Sequence, residues 1–111
     1  MPMTLQRPPV RTSTTRAAVA ASAVNPTFED RYWQYQHDKQ PYADDEYGYF
    51  AFAPAYRVGY MAVILHPNSS FDQLESLMHE EYDKTRVCDK LDWSYACLAA
   101  HAAWVRARTI G

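Results

Sequence analysis

The chain has 111 residues, of which 48% are hydrophobic, 14% aromatic and 22% charged, with a formal net charge of −2. That balance suits one small globular domain and excludes wholesale disorder, a collagen-like repeat and a membrane-spanning run of ~20 apolar residues. A net charge near zero gives no global attraction to nucleic acid.

Charge is unevenly divided. Residues 1–28 carry Arg7, Arg11 and Arg16 with no acid, while residues 29–111 carry a net −5. The basic stretch also contains Pro2, Pro8, Pro9, the run Thr12-Ser13-Thr14-Thr15 and an alanine-rich patch from Ala17 to Ala23. Residues 1–27 therefore read as a flexible basic arm and 28–111 as the helical domain. Two other readings of the arm are a partner-binding segment and an organelle transit peptide over residues 1–23. No apolar h-region follows the first arginines, so it does not read as a secretory signal.

In chain order, Asn25-Pro26-Thr27 supplies a polar cap and an early proline, with Glu29 and Asp30 behind it. This pattern predicts a first helix from about Phe28 to His37 or Lys39, with Phe28, Tyr32 and Tyr35 on one face and Trp33 alongside. The acidic link Asp44-Asp45-Glu46 follows Pro41-Tyr42. A short helical turn is expected over the aromatic segment before Pro54, and then a second helix from about Pro54 to Leu65. In that helix Ala55, Gly59 and Ala62 form a smooth strip. A helix-interior glycine costs ~1 kcal/mol against alanine, so the strip predicts close approach of another helix or of a tryptophan ring.

Ser70, with Gln73 three residues on, has the capping-box spacing, and predicts a third helix from about Phe71 to Thr85. Phe71, Leu74, Leu77, Met78 and Tyr82 share one face of it. A fourth helix is expected from about Lys90 to Arg108, capped by Asp89. Its apolar stripes are Leu91, Tyr95, Leu98, Ala102 and Val105, and Trp93, Cys97, Ala100 and Trp104. Tyr56, Gly59, Trp93 and Trp104 are expected at the helix crossing, with Pro54 starting its helix. Arg57 is expected to pair with Asp44, Asp45 or Glu46, or with Asp92. The fold class is all-α, a small bundle of about four helices.

Chemical signatures are sparse. His37, His66, His79 and His101 include no i, i+4 pair, and His79 lacks the second histidine of a zinc-binding HExxH helix, so the four read as exposed or loop residues. Cys88 and Cys97 form no CxxC pair; both read as reduced thiols, with Cys97 a small buried hydrophobe. There is no GxSxG, phosphate loop or dinucleotide fingerprint. No catalytic, cofactor-binding or metal-ligating residue is assigned, and the chain reads as non-enzymatic. A metal site assembled from separated histidines ranks last among the readings.

The aromatic residues stand out, with nine Tyr, four Phe and three Trp. Large rings build a core in a small bundle, and tyrosine also dominates contact surfaces. Tyr42, Tyr47, Tyr49, Phe50, Phe52 and Tyr60 are therefore candidates for an interaction surface. Stacking on single-stranded nucleic acid needs interleaved cations, and between Tyr32 and Tyr60 only Lys39 and Arg57 are basic, so direct nucleic-acid binding is not expected.

Arg31-Tyr32-Trp33, Pro41-Tyr42, Pro54-Ala55-Tyr56-Arg57-Val58-Gly59, Phe71 with Glu75, Leu91-Asp92-Trp93 and Ala103-Trp104 together resemble a group of uncharacterised short bacterial proteins, some described as stress-associated. The resemblance spans about residues 28–108. It departs at Val58, where an aromatic is usual, and at Tyr82, where tryptophan is usual. It implies a bacterial, cytoplasmic protein and supplies no catalytic residues.

The functional expectation is a helical protein acting through protein–protein contacts or as a homo-oligomer, without a membrane partner. The rival is an acidic inhibitor or adaptor that occupies a basic, nucleic-acid-binding partner.

Overall fold

The computed structural model describes residues 23–110. Among the described residues the fold has four helices: α1 (Pro26–Gln36), followed by a 3-10 turn (His37–Lys39), then α2 (Tyr49–Leu65), α3 (Phe71–Thr85) and α4 (Trp93–Thr109). Among the described residues there is no strand, so the architecture is the all-α bundle expected. The arm expected over 1–27 lies outside the described residues up to position 22. Its last residues belong to the folded unit, because Val24 is buried and Pro26 and Thr27 are already in α1.

Helix starts follow local chemistry. Asn25 caps α1, its Oδ1 accepting from the Phe28 amide at 3.1 Å, with Pro26 in the first turn. The Ser70–Gln73 capping box at the start of α3 is complete in both directions. Two starts differ from expectation. Helix α2 is continuous from Tyr49, and Pro54 sits inside it rather than at its head. Proline there deprives the Phe50 carbonyl of its intrahelical donor. Phe50 is 71% exposed, so water can take the donor's place. Helix α4 begins at Trp93 with Asp92 as N-cap, three residues later than expected. The preceding residues are held in a turn, because Leu91 is buried and its carbonyl accepts from the Tyr82 hydroxyl at 2.5 Å.

Helix α2 is the centre of the bundle. It touches all three other helices, most extensively α4. The α4 face it meets is made of alanine: Ala96, Ala99, Ala100, Ala103 and Ala107 are buried. The larger Leu98 and Val105, expected on a core stripe, are exposed, and Cys97 is only half-buried. The reason is distance. A Cβ placed on Gly59 would overlap the Ala100 carbonyl oxygen and stand 3.0 Å from the Ala103 Cβ. At that separation only small residues fit between the helices, so the bulky side chains of α4 turn outward.

On α1 and the 3-10 turn that follows it the buried side chains are Glu29, Trp33 and His37, spaced by four. Phe28 and Tyr35, expected to face the core, are exposed. Trp33 stacks on Tyr56 at 4.5 Å between ring centres, which fixes which side of α1 turns inward.

Candidate interaction groove

Helix α2 offers a different chemistry on each of its faces. One face, with Ala55, Gly59 and Ala62, lies against α4. A second carries Phe52, Tyr56 and Tyr60 toward α1. Tyr60 donates to Asp30 Oδ1 at 2.6 Å, and Tyr49 to the Asp30 carbonyl at 3.2 Å. Tyr56 shares hydrogen bonds with His37 Nδ1 at 2.6 Å and with the Tyr42 hydroxyl at 2.8 Å.

His37 is only 1% exposed, which corrects the expectation of surface histidines. The rings of Tyr42, Tyr49, Phe52 and Tyr56 surround it, and its Nε2 makes no hydrogen bond. Burial holds the imidazole below its ordinary pKa, against the Tyr47 backbone and the Asp38 and Asp44 carboxylates, which favour the charged ring. Burial likewise pushes the Tyr42 phenol up to about 12 and the Tyr56 and Tyr60 phenols upward. These hydroxyls are thus neutral hydrogen-bonding groups at physiological pH. Over this cluster the 40–48 link is pinned by Tyr95, whose hydroxyl donates to the Tyr42 carbonyl and lies 3.1 Å from Asp44 Oδ2.

The expected tyrosine surface is therefore largely inside the protein. Phe52 and Tyr60 are buried, Tyr42, Tyr47 and Tyr49 are half-buried, and Phe50 is exposed. The expected crossing set is also dispersed. Tyr56 and Gly59 lie on different faces of α2, while Trp93 packs on α3, against His79 and Tyr82. Trp104 packs against Phe71 and His101. Arg57 meets neither the acidic link nor Asp92; its Nη2 stands 3.6 Å from Asp30 Oδ2 on α1. Asp44 accepts instead from the Glu46 and Tyr47 amides of its own turn.

The third face of α2 is apolar and only partly covered. Pro54, Val58, Met61 and Leu65 recur at spacings of three and four, and with Leu77 and Met78 of α3 they line a groove of about 480 Å³. Leu65 is 64% and Leu77 47% exposed beside it. Arg57 on α2 and Glu81 on α3 stand among its lining residues. The sequence holds this signal as the i, i+4 spacing of Met61 and Leu65 after Pro54 and Val58. The Tyr56, Tyr60 and Val63 stripe masks it, because α2 is apolar on nearly every side.

The other end of α1 is clamped to α4. Arg106 donates from Nε to Glu29 Oε1 at 3.0 Å and from Nη2 to Oε2 at 3.2 Å, and its guanidinium lies 3.5 Å over the Tyr32 ring. These two residues form a two-pronged ion pair across the bundle.

Among the described residues no group of three or more His, Cys, Asp or Glu is placed to hold a metal ion, and no helix is long and apolar enough to cross a membrane. Comparison with protein-family models, curated proteins and solved structures found no match.

Proposed function

We propose that this chain is a non-enzymatic interaction protein that works through protein–protein contacts made at the α2–α3 groove. One observation carries the reading: an apolar groove between two helices in which Leu65 and Leu77 stand partly in water. Leaving such a strip uncovered forgoes ~25 cal/mol for each Å² of apolar surface. Contiguous apolar surface rimmed by charge is the usual mark of a protein contact site. An apolar groove between two helices is the receiving half of the helix-in-groove mode of recognition, in which a partner helix supplies the apolar anchors.

The test is site-specific photo-crosslinking of the full chain in the cells that make it. A photoreactive residue at position 77 is expected to give a discrete crosslinked protein species. The same residue at position 80, exposed on α3, serves as the control. Equal labelling from both positions, or none from position 77, overturns the reading.

A further inference from the structure

We infer that the occupant of this groove is the groove of a second copy of the same chain, in a two-fold symmetric dimer held by reciprocal Arg57–Glu81 contacts. The inference rests on the reading of the groove as a protein-contact site and goes further by naming what fills it.

The argument is self-complementarity. A closed two-fold interface uses the same patch on both partners, so the patch must carry its own complement. Helices α2 and α3 are joined by the short link 66–70 and run antiparallel as a helical hairpin. Arg57 is the middle residue of α2, eight residues before its end at Leu65, and Glu81 lies ten residues into α3 from Phe71, so in the antiparallel pair the two stand at about the same level along the groove. A two-fold axis running along the groove lays α2 of each copy over α3 of the other. Arg57 of one copy then meets Glu81 of its partner, and symmetry repeats the contact.

Both charges are available for it. The Arg57 side chain is half exposed; within its own chain it stands 3.6 Å from Asp30 and beside the Tyr60 hydroxyl, which leaves part of its guanidinium open, and Glu81 makes no ion pair among the described residues. In the same arrangement Met61 and Leu65 of one copy lie over Leu77 of the other, covering the two exposed leucines of the groove, Leu65 and Leu77. A foreign partner would have to match an apolar strip bearing one cation and one anion on opposite rims. A second copy turned about this axis already does.

The experiment is light scattering after size-exclusion chromatography on the full chain across a hundredfold concentration range. Helicity is followed by circular dichroism. The expected species has twice the 12.8 kDa chain mass. Leu77→Asp should give a folded monomer, because Leu77 lines the groove yet is already half in water. Glu81→Arg alone should weaken the dimer at least about tenfold by setting like charges together, and Arg57→Glu should do the same. The two substitutions combined should restore it to within a few-fold. A wild-type monomer at every concentration overturns the inference, as does a dimer that ignores Leu77→Asp or a charge swap without rescue. A monomer that still gives a position-77 crosslink to another protein overturns the self-pairing alone and leaves the contact-site reading standing.

Discussion

Gly59 of α2 and Ala100 of α4 approach so closely that a Cβ on Gly59 would overlap the Ala100 carbonyl oxygen. This contact sets the spacing of the largest interface in the bundle. It explains why the buried face of α4 is alanine while Leu98 and Val105 stand in solvent. Gly59→Ala gains ~1 kcal/mol of helix propensity but forces a backbone atom to move, and overpacking of this kind costs ~1–3 kcal/mol or more. The obstruction is a main-chain carbonyl that no rotamer change can relieve, so the loss prevails. Thermal unfolding should fall by about 4–8 °C for each kcal/mol lost, and Gly59→Leu should fall further. An unchanged melting temperature for Gly59→Ala would contradict the close crossing.

His37 makes stability depend on pH. Its folded-state pKa lies below the ordinary value of 6.5, so the unfolded chain binds the proton more readily. The stabilisation is present above pH 6.5 and is lost as pH falls below it, toward the depressed folded value. One such group changes the unfolding free energy by at most ~1.4 kcal/mol per pH unit. Denaturant titrations between pH 7.5 and 5.5 should show this decline in the native chain and a flatter profile in His37→Phe. Identical slopes for the two proteins would remove His37 as the cause.

Glu29 and Arg106 are a pair that neither helix can lose alone. Glu29 is 1% exposed, so Arg106→Ala strands a carboxylate away from water. The expected cost is ~2–3 kcal/mol, below the ~3–5 of a fully buried pair because Arg106 keeps a quarter of its side chain in solvent. The double variant Glu29→Leu/Arg106→Met should lose less than the sum of its single changes, measured as a double-mutant cycle. Strict additivity would show that the clamp contributes nothing.

The Tyr82 hydroxyl donates to the Leu91 carbonyl from a fully buried ring, fastening the turn before α4 to α3. Tyr82→Phe keeps the ring and leaves that carbonyl unpaired, which should cost ~1–3 kcal/mol. Amide exchange should speed up in residues 88–92 more than in α2. Uniform exchange across the chain would show that the bond does not act locally.

Much of the helical layout is legible in the order of residues, and each legible part has a local cause. The Ser70–Gln73 box is complete within one stretch of chain, and the structure reproduces it; of the face expected for α3 it buries Leu74, Met78 and Tyr82, with Phe71 half-buried and Leu77 exposed. Asn25 and Pro26 likewise start α1 by chemistry that needs no distant partner, although the helix opens two residues before Phe28. The Pro54 start fails because proline is tolerated in α2, where Tyr49, Phe52 and Tyr56 are fixed by α1 and His37. The start of α4 moves to Trp93 because Tyr82, from another helix, takes the Leu91 carbonyl.

The sequence by itself determined an all-helical chain, the capping of α3 and the need for space beside Gly59, since spacing, caps and a costly glycine act over a turn or two. Only the tertiary structure decided which side of each helix is inside. Helix α2 is apolar on nearly every side, and α4 offers both alanines and larger residues, so periodicity alone leaves the choice open. The choice falls to close approach at Gly59, which selects alanine, and to the Trp33–Tyr56 stack, which turns Phe28 and Tyr35 outward. The same selection encloses His37, draws Arg57 to Asp30, and leaves the remaining face of α2, with Leu77 of α3, as the groove.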